Sequence, residues 1–426
     1  MSIGKEKVMK EKVKIGYIGL GRRGTHVLLH NVSHMTDVEI TMLCDLSMTR
    51  MENAKAIVVE NMGHEPILTT DYHDVLNNPE IDAVMIMIGW SGRPQIAMES
   101  MRAGKYTAIE VGCADTLEEC YDLIKTYEKT GTPLMMLENC CYGRREMMVL
   151  NMVKKGLFGE LVYCTGGYQH YLNEEDIFKN IGEEEIPHYR FSHYVNKNCE
   201  NYPTHEFGPI SKVLNINRGN RITKLSSFAS KSAGLKSYAE KRFGADSEYA
   251  KTEYLQGDIV NTVLTCANGE MVMLTLDTTL PRAYYSRNFS VRGTLGMSSE
   301  ERHVVYLDGM GKHVSENEKE MFEKYDHPLH AEYVAKGVKE GHGGMDWLVC
   351  RAFIESVKRG TNTPIDAYDT VAWLAIGPLS EMSIKQGGAS VDFPDFTNGK
   401  WQNREPITEG KYCLDAICVD EDTSVV

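Results

Sequence analysis

Lys14-Ile-Gly-Tyr-Ile-Gly19-Leu-Gly21-Arg-Arg-Gly24 is a short apolar run that passes straight into three glycines spaced Gly-x-Gly-x-x-Gly. Each part has a physical task. Gly19 allows a tight turn, Gly21 lets the backbone come close to a pyrophosphate, and Gly24 lets the following helix pack against its strand. A helix opening there aims its unpaired N–H groups and the positive end of its dipole at phosphate. The next apolar run, Val38 to Cys44, ends on Asp45, 21 residues beyond Gly24. A carboxylate at that distance accepts hydrogen bonds from the adenosine ribose and repels a 2′-phosphate, which points to NAD rather than NADP.

Working outward, apolar runs at 13–20, 38–44, 83–88, 106–111 and 133–138 alternate with helical stretches such as 94–103 and 116–130. Continuous apolar runs are what strands buried on both faces look like. With the fingerprint in the first turn, they predict an α/β chain whose N-terminal Rossmann domain, residues 1–139, carries a doubly wound parallel sheet. Glu110 and Glu138-Asn139 fall at strand C-terminal ends, the ligand-binding edge of such sheets.

Beyond residue 140 the texture changes. A helix is expected over 142–155 and a strand from about 160. Two β-rich runs, 258–266 and 271–280, join through Ala267-Asn268-Gly269-Glu270, a hairpin signal, and further β-like runs follow at 288–293 and 303–307. Residues 140–426 therefore read as a C-terminal α/β domain with a mainly antiparallel sheet and a tail, 390–426, that wraps the surface. The acidic stretch 173–186 reads as a surface loop. Gly341-His342-Gly343-Gly344-Met345-Asp346 follows no clear strand and reads as a turn into a helix at 347–358.

Composition narrows the partners. The chain has 426 residues, a net charge of −14 and no basic stripe interleaved with aromatics, which argues against nucleic acid. No apolar run approaches the roughly 20 residues that span a bilayer. The first residues are charged and lack the apolar core of a signal peptide, so a cytoplasmic protein is expected. The 11 cysteines form no CxxC pair; they read as reduced core thiols, and no metal site is expected.

A dinucleotide enzyme needs groups that bind substrate and move protons. Three clusters qualify: Gly166-Gly167-Tyr168-Gln169-His170, Tyr202-Pro203-Thr204-His205, and Arg282-Ala283-Tyr284-Tyr285. Each also has an ordinary role, because tyrosines on strands pack and histidines are common on surfaces. There is no GxSxG elbow and no HExxH site.

Taken together, the chain resembles glycoside hydrolase family 109, NAD-dependent α-N-acetylgalactosaminidases of the glucose–fructose oxidoreductase/inositol dehydrogenase superfamily. The resemblance rests on Leu137-Glu-Asn-Cys-Cys-Tyr142, the 150–160 segment, Gly166 to His170, Tyr202 to His205, Asn217 to Arg221, Leu225 to Lys231, Gly341 to Asp346 and Pro394 to Trp401. It runs from about residue 12 to 401. It implies NAD contacts from Arg22, Arg23, Asp45, the Trp90 to Arg93 segment, Glu110, Val111 and Asn139, and substrate contacts from Tyr168, Arg190, Tyr202, Pro203, Thr204, His205 and Tyr284. Two segments depart from the family pattern. Trp90-Ser91-Gly92-Arg93 replaces a Trp-x-Trp-His pattern, and Gly112-Cys113-Ala114 replaces a Ser-Gly-Ala-like turn. The Glu-Lys-Pro of related dehydrogenases is Glu110-Val111-Gly112 here.

The implied chemistry is oxidation at C3 of the sugar, proton removal at C2, elimination of the C1 substituent, addition of water and re-reduction. This route needs no pair of flanking carboxylates. Tyr168 is the candidate for the C2 proton, activated by a cation such as Arg190 or His205; His205 suits the C3 hydroxyl or leaving group. The alternatives are an NAD-dependent sugar 3-dehydrogenase, a glycosidase of the same mechanism for another sugar, and a non-catalytic NAD-binding regulator. By analogy with the superfamily, a homo-oligomer is expected.

Overall fold

The computed structural model describes residues 10–179, 188–311, 313–337 and 342–417. Six strands build the first sheet: β1 Val13–Ile18, β2 Val38–Cys44, β3 Ile67–Thr69, β4 Ala83–Ile86, β5 Tyr106–Ile109 and β6 Leu134–Met136. Their order is β3-β2-β1-β4-β5-β6, all parallel. The chain turns one way from β1 to β2 and the other way to β4, so the crevice between the ends of β1 and β4 is the switch point where such sheets bind ligands. The helices between strands have identifiable ends. Leu117–Thr130 starts on a capping box between Thr116 and Glu119 and stops at Gly131 in the left-handed region.

The second sheet has eight strands: β7 Leu161–Gln169, β8 Ile222–Ala229, β9 Ile259–Cys266, β10 Met271–Asp277, β11 Ser290–Gly293, β12 Gly296–Ser299, β13 Val304–Leu307 and β14 Val391–Asp392. Their order is β13-β12-β11-β7-β10-β9-β8-β14. All neighbours are antiparallel except β7 and β10. The hairpin β9–β10 turns on Gly269 at φ +99, where glycine carries no steric penalty. One face of the sheet is covered by helices, and Gly166 lets the helix Thr204–Val213 approach because a Cβ there would crowd Glu206. The other face presents Tyr163, Val263, Met271 and Met273, all partly exposed.

Several expectations are corrected. β3, β8, β12 and β14 are strands that the hydrophobic pattern does not announce, and the strand within the 271–280 run ends at Asp277. The acidic stretch is only in part a surface loop: Asn173, Ile177 and Phe178 are buried, because Asn173 donates to the Thr279 carbonyl and Phe178 packs among aromatic rings. Residues 180–187 lie outside the described residues. The tail is packed in rather than only draped. Cys413 and Leu414 are buried, Tyr142 donates to the Tyr412 carbonyl, and Asp415 pairs with Lys212. All ten described cysteines are buried and none is in a disulfide among the described residues; Cys418 lies outside them.

The C-terminal half also completes the first one. The helix Met345–Arg359 packs on β1, and its Arg351 and Lys358 pair with Asp37 at 2.6 and 2.7 Å. The helix Ala367–Leu374 covers β6, where Met136 N–H donates to Thr370 Oγ1 at 3.2 Å. An otherwise open sheet edge is thereby closed.

Candidate active site

The glycine loop is built as its spacing requires. Gly19 has φ +96, and a Cβ on Gly24 would collide with the Gly19 carbonyl. The helix Arg22–His30 starts at Gly21 with no side-chain cap, so its first N–H groups stay available for an anion. Asp45 closes the loop from β2: Leu20 N–H donates to one carboxylate oxygen at 2.7 Å and Ser47 N–H to the other at 2.9 Å. A carboxylate has lone pairs left for two ribose hydroxyls.

Along the same edge, Arg23 Nε donates to Glu110 at 3.2 Å, joining the loop after β1 to the end of β5. Arg22 pairs instead with Asp176 at 3.0 Å. Trp90 is buried, and Gly112, at φ +134, leaves it room; a Cβ there would overlap the indole. Arg93 is buried too, with Nη1 donating to the Val111 carbonyl at 3.0 Å and Nη2 without a partner among the described residues. Asn139 stands beyond β6 and donates to Asp346 at 2.7 Å.

Facing this edge is an aromatic cluster from the second half. Tyr168, at the end of β7, lies over Tyr202 with ring centres 4.2 Å apart. The guanidinium of Arg190 sits 4.6 Å from the Tyr202 ring centre and 5.2 Å from that of Trp90. Two of its nitrogens, Nε and Nη1, are buried without a hydrogen-bond partner among the described residues, although Nε faces Asp176 at 3.6 Å. Pro203 leads into the helix Thr204–Val213, which fixes Thr204 in the interior and His205 beside both tyrosines, at 5.6 Å from Tyr168 and 4.9 Å from Tyr202 between ring centres.

His205 Nδ1 meets Glu138 Oε1 at 2.7 Å, and Glu138 is fully buried at the end of the β6 segment. An ionised carboxylate accepts from Nδ1–H, so Nε2 is the ring nitrogen outside this pair. Burial alone would raise the Glu138 pKa; the His205 imidazole and the Cys140 N–H outweigh it and hold it below the ordinary range. Burial pushes the Tyr168 hydroxyl well up, with Arg190 opposing, so Tyr168 needs help to lose a proton. Its hydroxyl lies 3.4 Å from His170 Nδ1.

Residues 13–138 match the oxidoreductase family with an NAD-binding Rossmann fold, and residues 142–403 match the C-terminal domain of glycosyl hydrolase 109. The chain belongs to glycoside hydrolase family 109. An alpha-N-acetylgalactosaminidase of Tannerella forsythia is 39% identical over 92% of this chain and 88% of its own. A family 109 protein of Stenotrophomonas maltophilia is 38% identical over 94% and 93%. Among solved structures, an NAD binding oxidoreductase from Klebsiella pneumoniae superposes with a TM-score of 0.68 at 14% identity, over 90% of this chain and all of the other. A levoglucosan dehydrogenase in complex with NADH and levoglucosan gives 0.65 at 16%, over 90% and 100%. These two likenesses concern the fold.

For a family 109 member, the residues expected from sequence gather well but not completely. Tyr168, Arg190, Tyr202 and His205 converge. Tyr284 does not join them: it is 60% exposed, and it is its neighbour Tyr285, itself 48% exposed, whose ring lies 6.2 Å from that of Tyr168 and 5.3 Å from that of His170. The partner of His205 was not assigned from sequence. Glu138 could be placed at a strand end, but its meeting with a histidine 67 residues on is a product of the fold.

Proposed function

We propose that the chain hydrolyses glycosides of terminal α-linked N-acetylgalactosamine with NAD as a cofactor that is used and returned in each turnover. The observation that carries this is the Glu138–His205 pair, 2.7 Å apart, placed against Tyr168 and Tyr202 at the C-terminal edge of the first sheet. The uncapped helix start after Gly21, the Asp45 carboxylate and the unpartnered Arg93 Nη2 suit a dinucleotide. When bound, NAD supplies a two-electron acceptor that makes the C2 proton of the sugar acidic by oxidising C3.

The residues divide the remaining work. His205, its Nδ1 held by Glu138, uses Nε2 to take or return the proton of the C3 hydroxyl or of the leaving group. Tyr168 handles the C2 proton, with Arg190 stabilising the phenolate and His170 as a further proton partner. Tyr202 and Arg190 hold the sugar, and Trp90 forms the floor between them and the cofactor edge. The buried thiols, none in a disulfide among the described residues, suit a reducing cytoplasmic setting, and the partly exposed Tyr163, Val263, Met271 and Met273 suit a homo-oligomer. No helix among the described residues is long and apolar enough to cross a membrane.

The test is proton NMR of an aryl α-N-acetylgalactosaminide incubated with the protein and catalytic NAD⁺ in D₂O. Cleavage with deuterium at C2 and no net reduced cofactor is the expected result. Reduced cofactor formed in step with oxidised sugar, without cleavage, would replace this reading with a sugar 3-dehydrogenase.

A further inference from the structure

The structure assigns to Asp346 the role of positioning residue of the cofactor edge: one buried carboxylate from the C-terminal half holds Arg23 and Asn139 in place together. This rests on the NAD reading above, since Arg23 and Asn139 matter because they belong to that edge.

The geometry is saturated. Arg23 Nη2 donates to Asp346 Oδ1 at 2.7 Å and Nη1 to Oδ2 at 2.8 Å, a two-pronged fork. Asn139 Nδ2 adds a bond to Oδ1 at 2.7 Å, and His342 Nδ1 meets Oδ2 at 2.8 Å. Four bonds fill the roughly four lone-pair sites a carboxylate offers. Arg23 also donates through Nε to Glu110, so the loop after β1, the end of β5 and the segment after β6 share one bonded chain. β1 and β6 are three strand spacings apart, about 14 Å, and Asp346 spans that gap from outside the first sheet.

The local backbone is shaped for the task. His342, Gly343 and Gly344 all have positive φ (+46, +66 and +96), which costs strain at the histidine and turns its ring back onto Asp346. Gly344 is needed for space as well, because a Cβ there would strike Tyr333. Asp346 then falls in the first turn of the helix Met345–Arg359, where the helix dipole favours a negative charge. The Gly-rich turn before this helix therefore serves the cofactor indirectly, by orienting groups that contact it. Burial acts to raise the Asp346 pKa, but Arg23 and His342 outweigh it and keep the group ionised far below neutral pH.

The experiment measures NAD⁺ affinity by calorimetry on protein stripped of nucleotide, alongside kcat at saturating NAD⁺. For Asp346→Asn we expect Kd to rise at least tenfold while kcat falls less than threefold. A merely structural residue would lower the active fraction, and so kcat, at unchanged Kd. His342→Ala removes an exposed ring that meets Asp346 through one oxygen and otherwise edges the His26 ring, and should raise Kd about threefold to fivefold in a folded protein. It decides the matter if Asp346→Asn does not fold. Unchanged Kd in the folded variants, or a collapse of kcat at unchanged Kd, overturns the assignment. Failure of the wild-type protein to bind NAD⁺ would overturn the cofactor reading itself.

Discussion

His205 and Glu138 are 67 residues apart in the chain, yet an imidazole nitrogen and a carboxylate oxygen meet at 2.7 Å with the carboxylate fully buried. Breaking the pair should affect chemistry more than binding. Glu138→Gln is expected to lower kcat by about 10²–10⁴-fold with KM within threefold, because the imidazolium formed in the reaction loses its counter-charge. The pair also leaves a pH signature. A carboxylate with a depressed pKa contributes stability that is present above the ordinary value of about 4 and is lost as pH falls through the folded one. Thermal melts of the wild type and the variant should therefore converge as pH drops below about 4.

Tyr168→Phe separates the steps. If Tyr168 moves the C2 proton, the variant still oxidises bound sugar but cannot go on. Absorbance at the reduced-cofactor band should rise on mixing with substrate and persist, while cleavage and C2 deuteration fall about 10²-fold or more. Normal hydrolysis would remove Tyr168 from that role.

Glu200 offers a test of stability rather than activity. Burial pushes its carboxyl up to about 8, so at neutral pH the native state keeps a proton that the unfolded chain, with its carboxyl near 4.5, has lost. The sign follows: the folded state binds more protons, so stability falls as pH rises from 4.5 toward 8. Glu200→Gln should abolish that slope. Its unfolding free energy in denaturant melts should match the wild type near pH 4.5 and exceed it by pH 8, by a margin on the order of a few kcal/mol.

Gly112→Ala is expected to be damaging out of proportion to its size. The glycine sits at φ +134 against the Trp90 indole, so a methyl group must displace the ring or the loop. A cost of about 1–3 kcal/mol in denaturant melts, with weakened NAD⁺ binding, is the expected outcome. Wild-type stability in the variant would show that the loop yields easily.

How much of this could be read from residues alone depends on range. The glycine loop, β1 and Asp45 are local signals within some 30 residues, and the fold realises them where the spacing says. β8, Ile-Thr-Lys-Leu-Ser-Ser-Phe-Ala, and β12, Gly-Met-Ser-Ser, carry too little β-branched or alternating character to announce strands. They are strands because neighbours on both sides offer a ladder. The site divides in the same way. Tyr168, Tyr202 and His205 are found by residue type and by family resemblance. Tyr285 rather than Tyr284 reaches the Tyr168 and His170 rings, and Glu138 meets His205, only because of side-chain direction and long-range packing.

The helices Met345–Arg359 and Ala367–Leu374 pack on β1 and β6, so the first sheet borrows its cover from the last quarter of the chain. During synthesis, the cofactor half leaves the ribosome long before those helices exist. It must wait with an apolar flank open to water until nearly the whole polypeptide has followed. A cut at the boundary its sequence suggests would therefore strip both flanks of that cover and leave the nucleotide half exposing apolar surface it was built to hide.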